Sequence, residues 1–230
     1  MLPVGKPVEP LPSGKGPERA PLQGNHARLE PLDVERHAAR LFALSHGRAE
    51  DASLWTYMAY GPFPDQGAFE AWVEDRARSS DPLFFAIVDP ASGTASGMAS
   101  YLNIVPANGT IEIGHIWFAP PLQRTRAATE AIFLMCRHVF DELRYRRLEW
   151  KCDALNAASR RAAERFGFTY EGTFRQHMVV KGRNRDTAWF AMLDREWPAI
   201  RAAFERWLAP ANFDPDGRQR TSLGALMPKR

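Results

Sequence analysis

The first place in this chain where residue types and spacing could do chemistry is a short polar loop. Residues Gln123-Arg124-Thr125-Arg126-Ala127-Ala128 follow an apolar strand ending in Ile116-Trp117-Phe118 and open directly into an apolar-periodic stretch. Free backbone N–H groups at a helix start, backed by the helix dipole, form an anion site. Arg124 and Arg126 add positive charge suited to phosphate. A second feature is Asn156-Ala157-Ala158-Ser159, an N-cap and first helical turn that runs to the glycine stop Gly167-Phe168. Glu112 and His115, on the strand that leads into the loop, are candidate proton acceptors for an amine. Arg144, Arg146 and Arg147 form another basic group, either a phosphate contact or a solvated turn. Glu149 and Asp153 alternate on a later strand, and a solvated face accounts for them. His177 lies on a long strand further on.

Other chemistries find little support. Cys136 and Cys152, two cysteines in 230 residues, make neither a disulfide framework nor a zinc site. No Cys–His spacing suggests a nucleophile. The six histidines show no metal-ligand spacing, so no metal is expected. Hydrophobic residues make up 45% and charged residues 25%, a globular balance that excludes wholesale disorder. The net charge of +3 resides in the ends, +1 in residues 1–24 and +2 in residues 210–230, so the body is formally neutral. That argues against a nucleic-acid partner held by bulk charge. No apolar run reaches the ~18 residues of a membrane span, and the first 24 residues lack the apolar centre of a signal peptide. A cytoplasmic location is the expectation.

The elements that must position these residues read as a mixed α/β unit. Six prolines and four glycines in residues 1–24 predict a flexible arm without helix or ladder strand. Residues 25–208 form one domain, and residues 209–230 a flexible tail. Within the domain, strands are predicted over 27–32, 83–88, 94–105, 110–118, 148–153, 168–180 and 186–193. Asp33 and Asp65 cap helices, a long helix runs from about Thr125 to Leu143, and a last one from Glu196 to Leu208. Trp55, Tyr57, Tyr60 and Phe63, around the Gly61-Pro62 turn, read first as helix packing and second as an aromatic lid. Hairpins with one long crossover indicate a mostly antiparallel sheet of six to seven strands flanked by helices.

These motifs, in this order on these elements, resemble the GNAT superfamily of acyl-CoA-dependent N-acyltransferases. The likeness spans roughly residues 25–208 and is greatest to the branch of Rim-type acetyltransferases, which act on the N-termini of ribosomal proteins. The family loop reads Gln/Arg-x-x-Gly-x-Gly/Ala; Gln123 matches its first position and Ala128 its last, while Arg126 replaces the first glycine. The later Asn-x-x-Ser and Gly-Phe signature stands as Asn156, Ser159, Gly167 and Phe168.

The resemblance implies acetyl-CoA as co-substrate and a primary amine, on a protein N-terminus or a small molecule, as acceptor. It implies pairing of Ile116, Trp117 and Phe118 backbone with the pantetheine arm, and a diphosphate cradle from Gln123 through Arg124, Thr125, Arg126 and Ala127 to Ala128. Asn156 and Ser159 complete the coenzyme contacts. Glu112 is the expected base, sharing a face with Gly114 and Ile116 if strand alternation holds. Ser159 is expected to assist the leaving thiolate, because the family's frequent tyrosine is Ala163 here. Arg144, Arg146 or Arg147 would take the coenzyme 3′-phosphate. Two rivals stand beside this reading: a non-catalytic acyl-CoA sensor, and a ribosome- or RNA-associated module using the basic ends. Edge strands leave a homodimer open.

Overall fold

The computed structural model describes residues 2–229, the side chains of residues 49 and 50 excepted. Among these residues one eight-stranded sheet forms, in the order β1-β2-β3-β4-β5-β6-β8-β7. The strands are β1 Leu22–Gln23, β2 Arg28–Pro31, β3 Leu83–Val88, β4 Ala95–Val105, β5 Thr110–Phe118, β6 Arg147–Asp153, β7 Thr169–Val180 and β8 Arg183–Leu193. All neighbours are antiparallel except β5 and β6, which the long crossover makes parallel. The extra strand is β1, inside the stretch whose prolines predict no ladder. Pro21 removes only its own donor, and Leu22 and Gln23 pair with Leu29 and Arg28.

Helices cover both faces. Helix α1 (Ala39–His46) and α2 (Gln66–Arg78) lie on one side. Asp65 caps α2 through Ala68 N at 2.8 Å, and Asp33 caps the helical turn Val34–Ala38 before α1 through Arg36 N at 2.9 Å. Leu41, Trp55, Phe69 and Val73 pack there on Phe84, Met98 and Trp117. On the other side lie α3 (Arg126–Arg137), which continues as a wider turn over His138–Glu142, α4 (Ala157–Arg165) and α5 (Trp197–Leu208). Ile132, Met135, Val139, Ile200 and Phe204 bury against Ile113, Leu148 and Phe190. Strand β3 is buried along its whole length because helices cover both its faces. Gly167 ends α4 at φ +90°, a conformation that favours glycine, and a Cβ there would approach Ile200 at 3.1 Å.

Segments near both ends of the chain are tied to the body. In the arm, Ser13 Oγ donates to Leu143 O at 2.7 Å, Tyr145 Oη donates to Lys15 O at 2.8 Å, and Arg19 donates to Ala77 O and Ser79 O. Residues 25–27 meet Glu130 of α3, whose carboxylate accepts their three backbone N–H groups at 3.1, 2.5 and 2.7 Å. The C-terminal segment, predicted as a loose tail, folds back and ends in helix α6 (Leu223–Leu226). Phe213 and Leu223 are buried and Leu226 and Met227 pack against the core, which accounts for its order. Among the described residues no helix is long and apolar enough to cross a membrane.

Candidate active site

The site begins where the sheet parts. Strands β5 and β6 pair at only three positions, Thr110–Arg147, Ile111–Leu148 and Glu112–Glu149. Beyond Glu112, β5 follows β4 while β6 follows β8, so their facing edges diverge into a notch. The cause is a bulge. Register between β4 and β5 passes from Met98–Trp117 to Ser100–Gly114, which places one extra residue on β5. His115 takes it up at φ +51°. An inserted residue bends a strand and aims its side chains anew.

The bulge also resets which residues share a face. Ile113, Ile116 and Phe118 pack toward the α3 side, whereas Trp117 joins the α1–α2 side. Glu112 therefore does not share a face with Ile116. Simple alternation, which predicts that it does, fails by the one residue that the bulge adds.

After Phe118 the chain turns tightly. Leu122 N and Gln123 N donate to Ala119 O, and Gln123 Nε2 donates to Phe118 O at 2.9 Å. Arg124 sits at φ +63°. Thr125 then caps α3: its Oγ1 accepts from Ala128 N at 3.1 Å and donates to Leu122 O at 2.7 Å. Arg126 and Ala127 occupy the first turn, where helix geometry supplies no intrahelical acceptor for their N–H groups.

Loop and notch open into one cleft of about 1740 Å³. Ile116, Trp117, Phe118 and every residue from Gln123 to Ala128 line it, as do Asn156 and Ser159 across the notch. Asn156 Oδ1 accepts from Ser159 N at 3.0 Å, so that side chain serves as the α4 cap. Ser159 Oγ accepts from Trp150 Nε1 at 3.0 Å and also hydrogen-bonds the Cys152 side chain. Ala163, one turn on, is fully buried in the core.

Further walls come from residues that the motifs do not single out. Arg161 and Arg165 project from α4, and Phe213, Gly217 and Arg218 come from the C-terminal segment. The α4 arginines, four apart after an Asn cap, carried a readable signal. The C-terminal residues, far along the chain in a Pro/Gly-rich stretch, carried none.

Glu112 lies outside the cleft lining, at the closed end of the notch on the last paired rung. It is buried, and its Oε2 accepts from Asn103 Nδ2 at 2.7 Å and pairs with Lys151 Nζ at 2.9 Å. Asn103 reaches it from a bulge in β4, at φ +49°, where Asp81 accepts from Asn103 N and Ile104 N at 3.0 Å each. Lys151 also pairs with Glu149 at 2.8 Å and sits 3.9 Å above the Trp189 ring. Burial raises the Glu112 carboxyl above its ordinary range, against the opposing pull of Lys151 and Asn103. His115, half-buried between Tyr60 and Phe84, is pushed down to about 4, by burial first and then by the Arg76 and Arg185 charges.

Other predicted residues lie elsewhere. Arg147 is held by Glu149 at 2.7 Å and by Glu171 at 3.0 and 2.6 Å. Arg144 and Arg146 border a separate hollow of about 660 Å³ beside arm residues Gly5–Pro12. None of the three arginines lines the cleft, which favours the solvated turn over a phosphate contact. They follow the long helix at its far end, opposite the loop that starts it. Trp55, Tyr60 and Phe63 pack on one another and on Trp117 as core. Tyr57 instead reaches over the notch to donate to Leu155 O at 3.2 Å, and Lys181 at the β7–β8 turn donates to Trp55 O at 2.8 Å. His177 meets Thr187 at 3.0 Å. Among the described residues no cluster of His, Cys, Asp or Glu could hold a metal ion.

A parted parallel pair feeding a helix start is a specific arrangement, and residues 26–169 match the acetyltransferase (GNAT) domain. The chain belongs to the GNAT acetyltransferase family. Among solved structures, a GCN5-related N-acetyltransferase from Brucella melitensis is 49% identical, with a TM-score of 0.90 over 95% of this chain and 98% of that one. A Chromobacterium violaceum protein described as a probable acetyltransferase of the GNAT family is 46% identical, with a TM-score of 0.79 over 86% and 98%. The Bacillus subtilis protein named "Putative ribosomal N-acetyltransferase YdaF" is 28% identical over 170 residues, 74% of this chain and 90% of that one. As a GNAT member the chain is an acyl-CoA-dependent N-acetyltransferase, with acetyl-CoA as co-substrate.

Proposed function

We propose that this GNAT enzyme moves an acetyl group from acetyl-CoA to a primary amine, on a protein N-terminus or a small molecule, by direct attack. The observation that carries the reading is the continuity of the notch with the arginine-walled cleft. The β5 edge from Ile113 to Phe118 has no strand beside it on the β6 side, so its backbone groups are available to an extended ligand such as pantetheine. The α3 start and Arg124 stand at one end of that edge, suited to a diphosphate, and Glu112 stands at the other.

Acetyl-CoA supplies an activated thioester; the chain supplies position and proton transfer. The amine nitrogen forms the new C–N bond as the C–S bond breaks. The amine proton passes to Glu112, directly or through a water. The sulfur leaves as thiolate, and Ser159 Oγ donates a hydrogen bond to it. Thiolate leaves readily near neutral pH, so Ser159 has the lighter task, in keeping with Ala163 at the position of the family's tyrosine. The name of the Bacillus subtilis relative supports a ribosomal acceptor.

Coenzyme A that binds only the folded chain raises its stability by about 2.7 kcal/mol at a hundredfold excess over Kd. A rise in melting temperature with millimolar coenzyme A, and thiol release with a panel of amines and N-terminal peptides, are the expected results. No shift and no release would refute the reading. Arg124→Ala is expected to weaken coenzyme affinity by roughly tenfold to a hundredfold, the worth of one charge-assisted contact. Calorimetric titration checks it, and an unchanged Kd removes Arg124 from the diphosphate.

A further inference from the structure

The cleft has a wall that the matched domain does not contain. Residues 26–169 carry the family match, yet Phe213, Gly217, Arg218 and Gln219 border the same cleft as the α3 start. This wall is built, not draped. Gly217 N donates to Asp214 O at 2.9 Å, Asp214 N to Arg218 O at 3.0 Å, and Arg218 N to Asp214 Oδ1 at 2.8 Å. Trp207 Nε1 donates to Gln219 Oε1 at 2.8 Å, so α5 holds the loop from behind. Asn212 exchanges bonds with Thr221 at 3.1 and 3.0 Å, which closes the loop at its base.

The wall meets the one position where the coenzyme loop departs from its family pattern. The Arg126 guanidinium lies 3.5 Å from the centre of the Phe213 ring, and its Nη2 is 4.0 Å from where a Cβ on Gly217 would stand. A long, mobile cation is thereby fixed in place at the mouth of the cleft. Arg218 lines the same cleft, exposed at its side chain and anchored at its backbone.

The chemistry of the ligand supplies the occupant. An acyl-CoA carries two separated anionic groups, an inner diphosphate and an outer 3′-phosphate on the adenosine ribose. The loop amides and Arg124 suit the first. Arg144 and Arg146 lie by a different hollow, Arg147 is held by Glu149 and Glu171, and Arg161 and Arg165 wall the cleft from α4. We propose, resting on the acyl-CoA reading above, that the C-terminal segment is part of the coenzyme site, and that Arg126, pinned by Phe213, and Arg218 together grip the ribose 3′-phosphate.

Coenzyme A and dephospho-coenzyme A differ only in that phosphate, so their Kd ratio isolates it. The parent chain is expected to prefer coenzyme A by at least tenfold. Arg218→Ala, an exposed side chain whose loss spares the fold, is expected to weaken coenzyme A about tenfold and leave dephospho-coenzyme A unchanged. Phe213→Leu keeps an apolar filler while removing the ring face, and is expected to lower the same ratio several-fold with a melting temperature near the parent's. A parent-like ratio in Arg218→Ala overturns the proposal, and so does an equal loss for both ligands, which would put Arg218 at the diphosphate. A parent that binds both ligands equally well overturns it too, while leaving the acyl-CoA reading intact. A parent that binds neither ligand overturns both.

Discussion

Glu112→Gln is expected to slow turnover at pH 7 by about a hundredfold to ten-thousandfold, the usual worth of a positioned general base. The substitution keeps the shape, and a glutamine oxygen can still accept from Asn103 Nδ2 and Lys151 Nζ, so the fold should survive. The pH profile carries the argument. Burial holds the Glu112 carboxyl above its ordinary range. A base works only when ionised, so the acidic limb of the parent profile should fall above the range of an exposed glutamate. The glutamine variant has no such limb. Its rate should instead climb through the titration of the acceptor itself, about pH 7.7–8.0 for an α-amino group. At high pH, where the amine is already neutral, the two enzymes should converge. His115 is a poor substitute, since a group pushed down to about 4 has little affinity for a proton at neutral pH. If parent and variant show the same profile from pH 6 to 9.5, Glu112 is not the base.

The second large effect is on stability. Glu130→Ala is expected to cost about 3 kcal/mol, because it removes charge-assisted bonds to three successive backbone N–H groups. For a chain of this length that corresponds to a fall of about 6–12 °C in melting temperature. The contact is close on every side: a Cβ on Gly24 would lie 2.6 Å from Glu130 Oε2. Gly24→Ala should therefore reproduce part of the loss by pushing the carboxylate away. Thermal unfolding followed by circular dichroism checks both. A Glu130→Ala melt equal to the parent's would mean that solvent replaces the carboxylate at no cost.

The sequence discloses most of the architecture, and where it misleads the reasons are local. Strands β3 and β6 are legible because burial writes a continuous apolar run in the first and a strict alternation in the second. The caps Asp65 and Asn156 announce their helices and bond as their types predict. Bulges are different. Nothing in the Gly114-His115-Ile116 run marks an extra residue, because a histidine at positive φ looks like any other histidine in a string of letters. The whole error about the face of Glu112 follows from it. The partners of Glu112 were hidden for the same reason, since Asn103 depends on a second bulge and Lys151 on the register of another strand. The C-terminal segment shows how composition can mislead. Prolines and glycines limit regular elements but not order, and buried Phe213 and Leu223 together with a hydrogen-bond network dock this segment.

Among the described residues three rungs hold β5 to β6, with Arg146 N and Arg147 N bonded to Gly109 O at the same end. Residues 22–118 therefore make one hydrogen-bonded plate and residues 147–193 a second, with a seam between them that runs through the middle of the molecule instead of along its rim. Helix α3 and its continuation span the seam, fastened to residues 25–27 by Glu130 at one end and to Lys15 through Tyr145 beyond the other, and the Tyr57–Leu155 and Lys181–Trp55 bonds cross it as well. Any extended molecule lying along the open edge of β5 acts as the missing rung. The paired rungs at Thr110–Glu112 and the open edge from Ile113 to Phe118 lie end to end on one strand, so a change that extended the β5–β6 pairing would stiffen the sheet and narrow the notch.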